Sequence, residues 1–314
     1  MVPPDRTMAP ADSTTLYDTD DYYAGGDGAR LAPVLEPVIA RLDGLRARSL
    51  LRQLRPPVNR PPRVLDVGAG TGGVLAWLRD RGVEVHGTTA SRTARDVAER
   101  RHGLTLTVAT DIPADLAAIP YDAITYWHVF EHLEDPEAHV AAWPAMLAEA
   151  GFVLVEVPDI DSVGAGLCRR SWLGSDPVHH VNMLSRTEIA TLLARHGLRI
   201  ERATGFSLKF TYVFLWSALL GRIFGESYDF DSVFDVLKRP LASLRRRPLR
   251  TLNAVAAVVY LAPAIIPLAT WGALTGHGEV LRLVITRGLP TPDYPHPILT
   301  TQRQTAAAAR RSSP

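Results

Sequence analysis

Apolar positions first recur at helical spacing in residues 31–54, at Leu31, Leu35, Val38, Ile39, Leu42 and Leu45, until the run "RPPVNRPP" stops the helix. After that proline cluster, short β-branched runs alternate with helical stretches. "RVLDVG" leads into a helix from Gly72 to Arg81, "VEVHGTT" into one from Ser91 to Arg101, and "LTLTVAT" and "YDAITYW" follow. A helix from Pro136 to Ala148, the run "GFVLVEVP", a helix from Thr187 to Arg195 and "LRIERAT" complete the series. Alternation of this kind predicts an α/β protein built on a doubly wound, largely parallel sheet. One further strand, "EVLRLVITR" from Glu279, comes only after a long apolar stretch of different character. The chain therefore divides into an arm and helix (1–58), a core (59–205), an apolar helical insertion (206–276), a last core strand (277–288) and a disordered tail (289–314).

Composition narrows the function classes. The net charge is +1, which gives no global footprint for nucleic acid, so no nucleic-acid partner is expected. A single cysteine, Cys168, excludes an internal disulfide framework and a Cys-rich zinc site and agrees with a reducing compartment. The opening "MVPPDRTMAPADSTT" has no apolar h-region, so a secretory signal is not expected and the core is placed in the cytoplasm.

The run "VLDVGAGTGG" reads as a buried strand, a glycine turn and a helix start, and Gly68, Gly70 and Gly73 satisfy G-x-G-x-x-G. Asp66 decides what the turn holds. A carboxylate at the end of the strand would repel a pyrophosphate in a poorly screened pocket and favours a cation. The pattern D-x-G-x-G-x-G resembles motif I of class I S-adenosylmethionine-dependent methyltransferases, whose donor carries a sulfonium and an ammonium and no phosphate. The stretch "YDAITYWHVFEHLEDPEAHVAAWPAMLAEAGFVLVEVPD" is similar to the fourth strand, helix and fifth strand of the ubiquinone-type O-methyltransferase branch, and "GSDPVHHVNMLSRTEIATLLARHGLRI" is similar to its D-P-x-x-H segment. The resemblance implies a Rossmann-like methyltransferase sheet with S-adenosylmethionine as cofactor. Asp66, Gly68, Gly70 and Gly72 would hold the methionyl end, Thr89 the ribose, and Asp111 with Ile112 the adenine. The branch carries an acid at the end of the second strand, where this chain has Thr88 and Thr89. That departure keeps two other readings open: an NADP enzyme using Ser91 and Arg92 for a 2′-phosphate, and a non-catalytic membrane-bound module of the same fold.

"HVFEH" spaces His128, Glu131 and His132 at i, i+3 and i+4, on one face if helical. In the branch it resembles, the corresponding E-x-x-E-H holds a divalent ion. Here His128 replaces the first Glu, which shifts the set from magnesium towards softer ions. The alternative is that His128 lines the methionyl end of the pocket while Glu131 and His132 bond locally. His180, aligned with the His of D-P-x-x-H, is the candidate base for an acceptor hydroxyl, with His179 as its substitute. Trp172 and Tyr126 either pack on the acceptor or belong to the core.

From Thr251 to Gly278 no Asp, Glu, Lys or Arg occurs, and "KRPLASLRRRPLR" concentrates basic residues just upstream. A shorter apolar stretch, "FSLKFTYVFLWSALLGRIFG", precedes both. Strands on either side must return to one sheet, which excludes a single crossing. The pattern fits a re-entrant or interfacial hairpin at the cytoplasmic face of a membrane, or else a cap over the site. The acceptor expected from this is a lipid-linked or small molecule.

Overall fold

The computed structural model describes residues 32–288 apart from 56, 169–171, 173, 175–179, 208–210, 213, 216–218, 220–247, 249–262 and 264. The expected arm, the tail, His179, the basic run except Pro248, most of the first apolar stretch and residues 251–262 and 264 of the second lie outside the described residues.

Helix α1 (Ala32–Leu51) precedes the sheet. Then come β1 (Arg63–Val67), α2 (Gly73–Arg79), β2 (Glu84–Thr89), α3 (Arg92–His102), β3 (Thr107–Val108), α4 (Ala114–Ala117) and β4 (Tyr121–Trp127). A single 3-10 turn (Phe130–His132) leads to α5 (Pro136–Met146), β5 (Leu147–Pro158), α6 (Val163–Cys168), α7 (Arg186–Arg195), β6 (Leu198–Thr204) and β7 (Val280–Arg287). The seven strands run in the order β3-β2-β1-β4-β5-β7-β6. The first five are parallel, whereas β7 lies antiparallel to both β5 and β6. β6 therefore runs in the same direction as the first five, so the sheet is largely parallel as expected and only β7 is reversed, because it returns directly between β5 and β6 instead of crossing over a helix.

Local sequence explains the boundaries. Ser91 caps α3 by accepting from the Ala94 N–H at 3.1 Å, and Gly103, at φ 60°, closes the helix in the left-handed region. Asp135 caps α5 ahead of Pro136, and Ser185 with Glu188 forms a capping box at the start of α7. Every residue of β4 is buried, as a central parallel strand covered on both faces requires.

Two apolar layers sandwich the sheet. On one face Tyr121, Ile124, Tyr126, Val153 and Leu283 pack with Trp143, Met146, Leu192 and Leu193 of α5 and α7. On the other, Val64 and Leu154 pack with Leu75 and Leu78 of α2 and with Ala47 and Leu50 of α1. Trp143 is wholly buried, and its truncation to alanine would cost about 3–5 kcal/mol. Gly44 lets α1 approach closely, since a Cβ there would lie 3.1 Å from the Trp77 ring nitrogen. That approach brings α1 to the carboxyl ends of the parallel strands, where α/β sheets bind ligands.

Candidate active site

Beyond β1 the chain turns through Gly68, Gly70 and Gly72, with φ of 72°, 56° and 77°. A Cβ on Gly68 would sit 2.5 Å from Val129 Cγ2, so glycine is required there by conformation and by space. The Gly68 N–H donates to Thr88 Oγ1 at 3.2 Å and the Ala69 N–H to the Thr88 carbonyl at 2.7 Å, which tie the turn to the end of β2. A cleft of about 390 Å³ opens above the turn, bounded by Asp66, Gly68, Gly70, Thr89, Asp111, His128 and His132. Its volume falls in the range of small-molecule sites. Gly72 and Ile112 are not among the lining residues. The missing Cβ of Gly72 faces Leu104 at 3.1 Å, and Ile112 packs against the core, so both sit beneath the cleft wall.

Asp66 is fully buried and accepts from Thr125 Oγ1 at 2.6 Å. Burial pushes its carboxyl up to about 7, against the Thr125 hydrogen bond and Arg46, which favour the charge. A buried acid poised in this way, open to a cleft, suits a ligand that brings its own positive charge.

Two cleft residues escape a reading by motif. Asp43 and Arg46 line it from α1, one helical turn apart. Arg46 also pairs with Glu156 at 2.7 Å and lies 4.9 Å from the Trp127 ring centroid. Their sequence signal is only a pair of charges beside an apolar stripe, and nothing local says which helix covers the turn.

At the end of β4, His128 adopts φ 56° and donates its N–H to the Glu156 carbonyl at 2.8 Å. The shared helical face expected for His128, Glu131 and His132 does not form, because the positive φ and the short 3-10 turn send His128 elsewhere. Its Nε2 lies 3.1 Å from Glu156 Oε1 and its Nδ1 3.4 Å from Glu131 Oε1. Burial opposes a charged ring, but the two carboxylates outweigh it and raise His128 above its ordinary value. The same contacts hold Glu156 well below the carboxylate range despite burial, with Arg46 and Arg282 adding to the effect.

The group that converges instead is Glu131, His132 and His180, with one ligand atom from each within 4.8 Å of the others. Glu131 is 1 % exposed, and neither of its oxygens receives a hydrogen bond among the described residues. Its buried carboxyl is nevertheless held below the ordinary range by His128, with His132 and His180 adding smaller contributions. His180 is not a lining residue of the cleft; its ring lies 4.8 Å from that of His132, which is. His180 Nδ1 is 2.9 Å from the Gly174 carbonyl. A carbonyl only accepts, so Nδ1 carries the proton, and in the neutral ring Nε2 is the nitrogen with the lone pair.

The remaining expectations resolve as packing. Tyr126 is wholly buried against Trp143 and His139, and Trp172 donates to Glu279 at 2.8 Å within the core. Ser91 spends its hydroxyl on the α3 cap, and neither it nor Arg92 lines the cleft, which removes the footing for a 2′-phosphate.

A family model described as a methyltransferase domain matches residues 40–203. The chain belongs to that family and has the class I, S-adenosylmethionine-dependent fold. S-adenosylmethionine is the cofactor of this class, and the buried Asp66 above a glycine cradle fits it. Over 99 residues the chain is 33% identical to the ubiquinone biosynthesis O-methyltransferase of Alkalilimnicola ehrlichii, covering 29% of this chain and 40% of that protein. Over 157 residues it is 32% identical to the malonyl-[acyl-carrier protein] O-methyltransferase of Enterobacter lignolyticus, covering 48% and 59%. The chain thus spans between 40% and 59% of the length of these curated relatives. Among solved structures it is similar to a SAM dependent methyltransferase from Archaeoglobus fulgidus, with TM-score 0.43, 20% identity and coverage of 53% of this chain and 72% of that one. It is also similar to mycolic acid cyclopropane synthase, with TM-score 0.48, 14% identity and coverage of 77% and 87%.

Proposed function

We propose that this chain transfers the methyl group of S-adenosylmethionine to a hydroxyl oxygen of a lipid-linked or small-molecule acceptor at the cytoplasmic face of a membrane. The observation that carries the reading is the buried Glu131, its oxygens without a hydrogen bond among the described residues, beside two imidazoles, one of which, His132, lines the same cleft as Asp66. In this reading Asp66, Gly68 and Gly70 hold the methionyl end, Thr89 the ribose and Asp111 the adenine. The acceptor oxygen attacks the methyl carbon as the carbon–sulfur bond breaks, and S-adenosylhomocysteine departs. Positioning supplies much of the barrier reduction for such an in-line displacement. The acceptor proton passes to His180 Nε2, directly or through His132, and Glu131 stabilises the imidazolium that forms. His128, its nitrogens facing two carboxylates, orients the end of β4.

One carboxylate and two imidazoles also fit a divalent ion of zinc or iron type better than magnesium. Such an ion, when bound by Glu131, His132 and His180, would lower the pKa of an acceptor hydroxyl.

The division into a core at 59–205 and an insertion at 206–276 is kept as part of this proposal. Among the described residues no helix is long and apolar enough to cross a membrane; the contact proposed is a re-entrant or interfacial hairpin. Support comes from Ile266, Trp271 and Leu274, exposed along one side of the helical residues 265–275, and from the basic run upstream in the sequence. Incubation with trideuteromethyl S-adenosylmethionine and a membrane lipid extract, read by mass spectrometry, tests the reaction. A labelled methyl ether in the lipid fraction is expected. Cofactor binding with no labelled product from lipid or aqueous extracts would overturn it in favour of a non-catalytic module. Flotation with anionic vesicles tests the membrane contact, and equal recovery with and without anionic lipid would remove it.

A further inference from the structure

A file of buried polar contacts leads from the sheet core to Asp111. Trp143 on α5 donates its indole N–H to the Tyr126 hydroxyl at 3.0 Å. That hydroxyl stands 3.1 Å from Nδ1 of His139, also on α5. On the other edge of the same ring, His139 Nε2 faces Asp111 Oδ1 at 3.6 Å. Tyr126 and Trp143 are wholly buried, His139 is nearly so, and the Asp111 side chain is 90% exposed at the cleft.

The order of the protons follows from what each group can do. An indole N–H only donates, so the Tyr126 oxygen accepts from Trp143. The phenolic proton then needs an acceptor, and His139 Nδ1 is the group it meets. A proton on Nδ1 would aim two donors at one oxygen and strand the phenolic hydrogen in an apolar core, against the rule that buried polar groups are satisfied. His139 is therefore the tautomer with its proton on Nε2, and that N–H points at Asp111. Burial holds the ring below its ordinary value, so it stays neutral and keeps this single orientation of donors and acceptor.

We propose that His139 is a positioning residue for cofactor recognition: its Nε2–H, fixed by Tyr126 and Trp143, steadies Oδ1 of Asp111 so that Oδ2 meets the exocyclic amino group of an adenine in the cleft. The proposal rests on the reading of Asp111 as the adenine contact. An exposed carboxylate without such a hold must give up rotamer freedom when the ligand binds. The 3.6 Å separation closes to a hydrogen bond as the adenine arrives, as recognition contacts often do. Specificity follows from the same chemistry. Adenine offers Asp111 a donor at position 6, whereas hypoxanthine offers a carbonyl that a carboxylate repels.

Isothermal titration of the full chain with S-adenosylhomocysteine and with S-inosylhomocysteine tests this, using Asp111→Ala, His139→Leu, His139→Gln and the double variant Asp111→Ala/His139→Leu. Asp111→Ala and His139→Leu should each weaken S-adenosylhomocysteine binding about 5- to 10-fold while leaving S-inosylhomocysteine nearly unchanged. His139→Gln, whose amide N–H reaches the same place, should recover most of the loss. The double variant should bind no more weakly than Asp111→Ala, since a residue acting through Asp111 has nothing left to act on. A His139→Leu loss that multiplies with that of Asp111→Ala, that falls equally on both ligands, or that is absent would overturn the proposal. If Asp111→Ala binds like the parent, the adenine reading of Asp111 falls and the proposal with it; a failure confined to the His139 variants removes the positioning role alone. Should His139→Leu not fold, Tyr126→Phe decides, because it removes the proton that sets the tautomer. It should weaken S-adenosylhomocysteine selectively, and equal affinity in parent and variant would sink the idea.

Discussion

His128 Nε2 stands 3.1 Å from Glu156 Oε1, while Nδ1 of the same ring lies 3.4 Å from Glu131 Oε1, so one imidazole bridges two buried carboxylates. Glu156 also takes Arg46 at 2.7 Å and Arg282 at 2.8 Å. Replacing it by glutamine leaves two guanidinium groups and an imidazolium facing a neutral amide. Glu156→Gln should lose about 3–5 kcal/mol of stability in urea unfolding. The pH dependence has two limbs. Glu156 lies below its ordinary value in the folded state, so its contribution is full above the unfolded carboxylate pKa and fades as pH falls through the folded one. His128 lies above its ordinary value, so its contribution is full below the unfolded imidazole pKa and is lost as pH rises through the folded one. The stability difference between parent and Glu156→Gln should therefore peak between those limits.

Asp66 has the opposite sign. Its folded carboxyl is raised to about 7, so ionisation opposes folding increasingly as pH climbs from the unfolded carboxylate value to that point. Asp66→Asn keeps an acceptor for Thr125 and removes the charge. The variant without ligand should be more stable than the parent at pH 8, by roughly 2–4 kcal/mol, and should lose S-adenosylhomocysteine binding. In the parent, affinity for S-adenosylhomocysteine should fall about tenfold per pH unit below 7. Titrations in buffers of different ionisation enthalpy should show proton release on binding near neutral pH.

The acceptor-side group gives a kinetic and a spectroscopic expectation. His180→Ala should lower kcat by about 10²- to 10⁴-fold with little change in cofactor affinity. Cobalt added to chelator-treated protein should produce visible d–d bands that vanish in Glu131→Gln. Unchanged bands in that variant would place the ion elsewhere.

At the turn itself, Gly68→Ala should remove cofactor binding. Adding Val129→Ala relieves the contact at 2.5 Å but leaves the positive φ. The double variant should recover stability, by about 1–2 kcal/mol in thermal unfolding, without recovering full affinity.

Much of this architecture is legible in the chain. Buried strands such as "YDAITYW" announce themselves by β-branched and aromatic runs, and Asp66 before three glycines with positive φ marks the turn and the charge of its ligand. What is not legible depends on register and on backbone strain. Glu156 meets Arg282 because β5 and β7 pair antiparallel with these two residues opposed, a fact of alignment across 126 positions of sequence. His128 looks helical by spacing, yet a positive φ at a non-glycine residue sets its ring between Glu156 and Glu131, while His132 and His180 converge on Glu131 without it. Asp43 and Arg46 reach the cleft only because Gly44 lets their helix lie against Trp77.

Because β6 and β7 are adjacent and antiparallel, with Thr204 opposite Arg282, the excursion between them is grafted onto what is topologically a hairpin. Gly205 and Gly278 meet backbone to backbone at its neck. A tight turn spliced across that neck would leave all seven strands intact and yield a stripped-down scaffold. Such a scaffold would forfeit Ser207, which reaches Glu156 at 3.3 Å, and Phe214, whose ring lies 5.9 Å from that of His128. Strand order does not depend on the excursion, whereas the surroundings of His128 and Glu156 do, so replacing this one cassette would alter the end of β4 without redrawing the sheet.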